Sequence, residues 1–280
     1  MRFLFWNVKK NPVGPILSRI VEAHIVDVVI FAECHDAGVM LSDLNDASGN
    51  QFHLPVSPRS RVVIYTRFLR KHIETAHSED FFTVRLISLP ETKPILLAAL
   101  HLPSKLHKTD SQEYQSFVAS HVSEKIRKVE FENGTSRTVL VGDLNMNPFE
   151  KGVASANGLH AVMTRDIARS GKGQRQVVRD SYPFFYNPMW GRFGDTTKGP
   201  PGTYYRRGSE PTEYFWNTYD QVLIRPDLLD SFDEKSVKVL TEFGGTTFLR
   251  NSGIPDQSRV SDHLPLLFAL TISEKEFEYV

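Results

Sequence analysis

The sequence predicts an α/β protein built from layers of sheet and helix. Residues 26–32 and 95–100 are almost continuously apolar, which is typical of strands covered on both faces. Residues 111–130 instead carry apolar side chains at helical spacing. Strand-like runs alternate with helices and hairpins along the chain, and this order favours a layered sandwich.

The predicted strands are short apolar runs that end at turn residues, such as Lys93-Pro94 and Arg225-Pro226. In chain order they are residues 3–8, 26–32, 61–66, 81–89, 95–100, 138–141, 219–224 and 264–272.

Two helices are predicted from the spacing of apolar residues. The first, residues 15–24, places Ile16, Leu17, Ile20 and Val21 on one face. The second, residues 111–130, begins with a capping pair, Asp110 and Glu113. Its predicted apolar face consists of Tyr114, Phe117, Val118, Val122, Ile126 and Val129.

The composition is that of an ordinary globular protein. The chain has 280 residues, of which 40% are hydrophobic, and its 33 basic residues balance 33 acidic ones. Any nucleic-acid partner must therefore be held by a local patch. The single cysteine, Cys34, excludes an internal disulfide and fits a reducing cytoplasm. No apolar run approaches the roughly 18 residues of a membrane span. We expect one cytoplasmic domain over residues 1–280.

Residues 165–217 differ from the rest because Gly, Pro, aromatic and basic residues accumulate without periodicity. They are predicted to form long surface loops with short strands, which are often functional. Within residues 165–207, nine basic residues stand against three acidic ones, with aromatics between them. This composition suits nucleic acid, since basic groups follow a phosphate backbone and aromatics stack on bases. A packing loop with solvated arginines is the alternative.

Polar residues with catalytic potential sit at the ends of the predicted strands. Carboxylates and amides provide the oxygen ligands of a hard divalent cation, and histidine exchanges protons near neutral pH. Five short segments lie at or just beyond the ends of strand runs, and Asp220 opens a further strand. The segments are Trp6-Asn7, Ala32-Glu33, His101-Leu102-Pro103, Gly142-Asp143-Leu144-Asn145 and Ser261-Asp262-His263.

In this order, the motifs resemble the endonuclease/exonuclease/phosphatase superfamily, whose fold is like that of deoxyribonuclease I. The resemblance runs from Trp6-Asn7 to Ser261-Asp262-His263 and includes Tyr219-Asp220-Gln221-Val222-Leu223. It implies a four-layered α/β sandwich of two mostly antiparallel sheets flanked by helices, with the active site at one end.

The resemblance also implies roles for individual residues. Glu33 would be the principal Mg²⁺ ligand beside Asn7, with Mn²⁺ as a possible substitute, and Asp262 a further metal or water contact. Asp143 and Asn145 would orient the attacking water and the phosphate.

The resemblance implies roles for two histidines as well, His263 and His101. His263 would contact the scissile phosphate or act as the base, oriented by Asp220, and His101 would hydrogen-bond a phosphate oxygen. The abasic-site repair branch usually has a tyrosine where His101 stands, so the chain is more similar to the deoxyribonuclease, sphingomyelinase and deadenylase branches.

The expected function is Mg²⁺-dependent hydrolysis of a phosphodiester, with DNA or RNA as substrate. Arg59, Arg61, Arg206 and Arg207 are the candidate substrate-binding residues. One alternative is a phosphatase or phosphodiesterase for a small-molecule or lipid ester, which needs a closed pocket rather than a charged groove. Another is a binding module without activity, although no catalytic position of the family pattern is replaced here.

Overall fold

The structure is a computed structural model of the chain. It describes residues 1–48, 51–55, 60–105, 111–194, 196, 198–209 and 211–272.

The strands, numbered in chain order, form two large sheets and three small two-stranded ones. They are β1 (Arg2–Asn7), β2 (Val28–Ala32), β3 (Val63–Thr66), β4 (Ile73–Glu79), β5 (Phe82–Ile87), β6 (Ile95–His101), β7 (Thr138–Asp143), β8 (Ala161–Val162), β9 (Gln174–Val177), β10 (Asp180–Pro183), β11 (Phe185–Tyr186), β12 (Tyr204–Tyr205), β13 (Trp216–Asn217), β14 (Asp220–Ile224), β15 (Phe232–Val239), β16 (Glu242–Phe243), β17 (Thr246–Thr247) and β18 (Leu266–Leu270).

Both large sheets are mostly antiparallel and contain a central parallel pair. The first has the order β15-β18-β1-β2-β3, in which β1 and β2 are parallel. The second has the order β4-β5-β6-β7-β14-β11-β8, in which β6 and β7 are parallel. A second parallel pair, β11 and β8, lies at its edge.

The helices are α1 (Gly14–His24), α2 (Ala37–Ser48), α3 (Ser111–Glu132), α4 (Lys151–Ala154) and α5 (Arg165–Gly173). Helices α1 to α4 pack on the outer faces of these sheets, whereas α5 contributes Ala168 to the core between them. Pro15 lies in the first turn of α1, and Ile25 ends the helix in a left-handed conformation. Among the helices of the described residues, none is long and apolar enough to cross a membrane.

Alternation of side chains along the strands produces the four layers. In β1, Phe3 and Phe5 face a central core shared with Leu97 and Val141 of the second sheet. The intervening Leu4 and Trp6 join α1 and α2 in an outer core. The other outer core packs α3 and α4 against the alternate residues of β6 and β7. The predicted four-layered sandwich is therefore confirmed.

Among the elements without a prediction are α2, β4 and β15. The sequence of β4, Ile-Glu-Thr-Ala-His-Ser-Glu, lacks an apolar run because only its first residue is buried. In α3, Phe117 was expected on the packed face but is 71% exposed, whereas Val118 and Val122 are buried. The predicted cap residue Asp110 lies outside the described residues.

Residues 165–217 contain loops and short strands as predicted, together with α5. Thr164 caps α5, since its side chain accepts a hydrogen bond from the Ile167 amide. The first part of the segment lies at the end of β14 opposite Asp220: Tyr186 pairs with Ile224, and Gly173 approaches Pro226. A later part reaches the Asp220 end of the sheet through β12, where Tyr204 bridges to His263.

Candidate active site

The polar strand ends converge at one end of the sandwich. The carboxyl ends of the parallel pairs β1/β2 and β6/β7 meet there, as do the start of the antiparallel β14 and the segment before β18. Within the second sheet, Asp143 is the register partner of both His101 and Asp220. The structure thus gathers Asn7, Glu33, His101, Asp143, Asn145, Asp220 and His263.

Gly142 is required by the close approach of β6 to β7. A Cβ atom at this position would lie 1.9 Å from the carbonyl oxygen of Leu100. Only glycine therefore allows β7 to run beside β6 and deliver Asp143 to the site. This contact explains the glycine of the Gly142-Asp143-Leu144-Asn145 motif.

Asn7 joins two carboxylates that lie on different sheets. Its Nδ2 donates to Asp143 Oδ2 at 3.0 Å and to Glu33 Oε1 at 3.3 Å. Glu33 follows β2 with a φ of 53°, a left-handed conformation that is unfavourable for a side chain larger than glycine. Backbone strain of this kind is common at functional sites, and here it accompanies the turn that follows β2.

Asn145 and His101 border this carboxylate pair. Asn145 also has a positive φ, 50°, and its backbone N–H donates to Asp143 Oδ1 at 2.9 Å. The Asn145 side-chain amide donates to the Leu102 carbonyl at 2.8 Å. His101 Nε2 lies 3.7 Å from Glu33 Oε1 and 3.8 Å from Asp143 Oδ2, so the imidazole faces both carboxylates.

Asp220 and His263 form a buried pair. His263 Nδ1 lies 2.8 Å from Asp220 Oδ2 and 3.0 Å from Oδ1. An ionised carboxylate only accepts, so Nδ1 carries a proton. The other ring nitrogen, Nε2, lies 3.7 Å from Asp143 Oδ2. Asp220 therefore sets the orientation in which His263 faces the site.

The backbone around this pair is held from several sides. The Trp6 indole N–H donates to the His263 carbonyl at 2.9 Å, and the Ser261 hydroxyl donates to the Asn7 carbonyl at 2.6 Å. The Tyr204 ring lies against the imidazole, with 4.6 Å between ring centroids. These contacts connect the Ser261-Asp262-His263 segment to β1 and β12.

Burial and the neighbouring charges act in opposite directions on the pKa of His263 and on that of Asp220. Burial by itself lowers the pKa of His263, but the negative charges of Asp220 and Asp143 outweigh it and raise the pKa to about 10. Burial also raises the pKa of Asp220, against the charge of His263. Both shifts favour retention of a proton within the pair, which resides on the imidazole at neutral pH.

The oxygen-rich cluster fits a divalent cation. Asn7, Glu33 and Asp143 offer amide and carboxylate oxygens, the donors that Mg²⁺ and Mn²⁺ accept. Within the described residues, no Lys or Arg lies within 4.0 Å of the Glu33 or Asp143 carboxylates, and their charged neighbours are imidazoles. Asp143, Asp220 and His263 also place one ligand atom each within 4.8 Å of one another. The site thus carries negative charge that a cation would neutralise.

Asp262 takes part in a different contact. Its carboxylate pairs with the Lys9 ammonium at 2.6 Å, and the Gln257 side chain accepts from the same ammonium at 2.9 Å. In this structure the Asp262 charge is thus balanced by a lysine from the loop after β1.

The four candidate substrate residues are dispersed. Arg59 lies outside the described residues. Arg61 is exposed and pairs with Asp80 at 2.6 Å. Arg206 and Arg207 follow β12, and the Arg206 backbone N–H donates to Phe215 O at 2.8 Å. Because β12 bridges to His263, this second pair lies beside the Asp220–His263 pair.

Thr203 and Tyr204 belong to the site but had no predicted role there. The Thr203 hydroxyl accepts from the Asp220 backbone N–H at 3.1 Å, and Tyr204 covers the His263 ring. They lie in the irregular segment, where no periodicity or motif distinguishes them. Only the aromatic content of that segment could have drawn attention to Tyr204.

No family model and no curated protein sequence matches the chain. Solved structures do match over nearly its whole length. A 3′ phosphatase from Neisseria, NExo, bound to product DNA hairpin is 12% identical with a TM-score of 0.57, and the match covers 97% of this chain and 100% of that one. An endonuclease/exonuclease/phosphatase family protein from Leptotrichia buccalis is 14% identical with a TM-score of 0.55, covering 97% and 100%.

A truncated TDP2 from Caenorhabditis elegans matches in the same way. It is 13% identical with a TM-score of 0.52, and the match covers 97% of each chain. At such low identity the likeness concerns the fold alone. The chain has the same fold as these proteins, a deoxyribonuclease-I-like α/β sandwich.

Proposed function

We propose that this protein is a metal-dependent phosphodiesterase that hydrolyses nucleic acid. The observation that carries the proposal is the convergence of carboxylates, amides and two imidazoles from both sheets at one end of the sandwich. Hydrolysis of a phosphodiester develops negative charge on oxygen, and preorganised donors with a cation stabilise it. Every polar group needed for this chemistry is within the cluster.

The geometry suggests a division of roles. Glu33, Asn7 and Asp143 would hold a Mg²⁺ or Mn²⁺ ion, which when bound supplies charge stabilisation at a phosphate oxygen. Asp143 faces the site with a carboxylate that could also accept a proton from the attacking water. His263, whose Nδ1 proton is held by Asp220, directs Nε2 to the space where a phosphate oxygen would lie.

His101 and Asn145 complete the proposed arrangement. The His101 imidazole, near both Glu33 and Asp143, is placed to donate to a second phosphate oxygen. Asn145 acts through its backbone, since its N–H holds Asp143 Oδ1 in place. Its side-chain amide already donates to the Leu102 carbonyl.

A nucleic-acid substrate is supported by the surroundings of the site. Arg206 and Arg207 follow the strand that contacts His263 and carry positive charge to that edge. Among the proteins of the same fold, one is bound to a DNA hairpin and another is the endonuclease domain of TRAS1, a telomere-specific retrotransposon. Phosphate contacts of this kind make affinity fall steeply with salt.

The test is to incubate the protein with single- and double-stranded DNA, RNA and a small generic phosphodiester. Each is assayed with Mg²⁺, with Mn²⁺ and with EDTA. We expect cleavage of nucleic acid that EDTA abolishes, and a Glu33→Gln variant that keeps its fold but loses nearly all activity. Efficient turnover of small or lipid esters alone, or activity in EDTA, would contradict the proposal.

The role of the basic pair is tested by salt dependence. Replacing Arg206 and Arg207 with alanine should weaken binding to oligonucleotides and flatten the plot of log affinity against log salt. The matched control replaces Arg175 and Arg179, two exposed arginines of the β9–β10 hairpin at the other end of β14. Equal effects of the two double variants would show that the charge near the site has no special role.

A further inference from the structure

Four aromatic side chains form a cluster on the surface near the catalytic end. Phe149 lies at its centre, 5.2 Å from Tyr214, 5.7 Å from Phe193 and 6.4 Å from Trp190 between ring centroids. Phe149 is 39% exposed and Tyr214 is 52% exposed. We name these four residues the aromatic shelf. Clustered exposed rings are uncommon on a surface without a partner, and they mark binding sites.

Two connections hold the shelf beside the active site. Phe149 follows the Asp143–Asn145 turn closely, and between them Asn147 donates to Asn217 Oδ1 at 2.9 Å. Tyr214 precedes β13, which pairs with β12, whose Tyr204 covers His263. Both exposed rings of the shelf therefore project from loops anchored to the catalytic residues.

Positive charge borders the shelf. Arg206 is joined to Phe215, the neighbour of Tyr214, by a backbone hydrogen bond of 2.8 Å. Over the described part of the chain, neither Arg206 nor Arg207 has a carboxylate within 4.0 Å of its guanidinium. The acidic neighbour is Glu213, which lies with Arg206 near the backbone of Gly208. Arg206 and Arg207 therefore bring positive charge to the edge of the shelf.

We propose that the aromatic shelf stacks unpaired bases next to the scissile phosphate, so that the substrate is a single-stranded nucleic acid or a single-stranded end. The proposal rests on the proposed function of the site. Every base has a π face, and stacking on an aromatic side chain contributes about 1–3 kcal/mol per base. In a duplex those faces are already stacked on neighbouring bases, so a duplex gains nothing from Phe149 and Tyr214.

The arrangement combines the two features that single-strand binding requires. Exposed rings receive the bases, while Arg206 and Arg207 attract the phosphates that join them. The basic groups alone do not select a single strand, because a duplex also presents phosphates to them. The shelf is therefore the element that distinguishes a single strand from a duplex.

The experiment measures binding by fluorescence anisotropy in EDTA, where cleavage does not interfere. Labelled single-stranded DNA, single-stranded RNA and blunt duplex are compared for the parent, Tyr214→Ala and Tyr214→Phe. We expect the parent to prefer single strands, and Tyr214→Ala to weaken their binding about tenfold with little change for duplex. Tyr214→Phe keeps the ring and should bind as the parent does.

Phe131→Ala provides the matched control, since Phe131 is 88% exposed on α3 and has no contact with the shelf. A parent that binds duplex as tightly as single strands, or a Tyr214→Ala variant with an unchanged preference, would overturn the proposal. Failure of the proposed function is seen separately, as absence of cleavage of every substrate by the parent with Mg²⁺ and Mn²⁺. The binding comparison decides the role of the shelf in either case.

Discussion

Replacing Asp220 with asparagine removes the charge that holds a proton on His263. The amide has nearly the shape of the carboxylate, and its oxygen can still accept from His263 Nδ1 across the present 2.8 Å contact. The orientation of the ring should therefore persist while the electrostatic attraction is lost. This variant separates the effect of charge from the effect of position.

The size of the change follows from the opposing influences on the imidazole. Burial lowers the pKa of His263, and Asp220 with Asp143 raises it to about 10. With the charges of Asp143 and Asp262 left to oppose burial, the pKa should fall from about 10 toward the ordinary value of a histidine. At pH 7 the imidazole should therefore be almost fully protonated in the parent and largely able to lose its proton in the variant.

The assay is an NMR titration of labelled histidine in the metal-free protein, with the His263 signal assigned from a His263→Ala sample. The parent should stay protonated from pH 5 to 9, and Asp220→Asn should lose its proton near neutral pH. Turnover by Asp220→Asn should fall less than in His263→Ala, because the ring remains in place.

Asp256→Asn is the control for this titration. Asp256 is also nearly buried and lies in the same C-terminal part of the chain, but it pairs with Arg250 and Ser258 rather than with His263. It should leave the His263 titration unchanged. If the imidazole titrates alike in the parent and in Asp220→Asn, the electrostatic account of the pair is wrong.

Three further predictions concern catalysis and stability. His263→Ala and Asp143→Asn should each lower turnover about 10²-fold or more, since each removes a group placed at the reacting water or phosphate; a loss of less than about tenfold in steady-state assays would remove that residue from the mechanism. Gly142→Ala should lower the melting temperature, because its Cβ would meet a backbone carbonyl of β6 at 1.9 Å; an unchanged melting curve would disprove the close approach. Burial, aided by Arg175, lowers the pKa of His160 from 6.5 to about 4. The unfolded state then binds more protons than the folded state in this range, so stability decreases as pH falls from about 6.5 to 4. Urea unfolding of His160→Gln should show a shallower decline, and equal slopes would contradict the assignment.

The sequence by itself determined most of the sheet framework. Runs such as residues 95–100 and 138–141 are apolar because their strands are covered on both faces, and that pattern is local. The polar residues that end these runs, Asn7, Glu33, His101 and Asp143, were therefore identifiable without coordinates. These four residues lie at the same end of the sandwich because parallel strands end at one edge of each sheet. By contrast, β4 and α2 were not predicted, because few of their residues are fully buried and their sequences carry no strong apolar period.

Only the tertiary structure decided which distant groups meet. Asp220 and His263 are 43 positions apart, and Lys9 and Asp262 are 253 apart. Their contacts depend on the sheet order, which placed β14 beside β7 and β18 beside β1. The same sheet order separates the two ends of the basic segment, residues 165–207. Arg165 pairs with Glu234 at the far end of β14, whereas Arg206 and Arg207, after β12, lie near the site. Local sequence could not reveal this division, since basic residues occur at both ends of that segment.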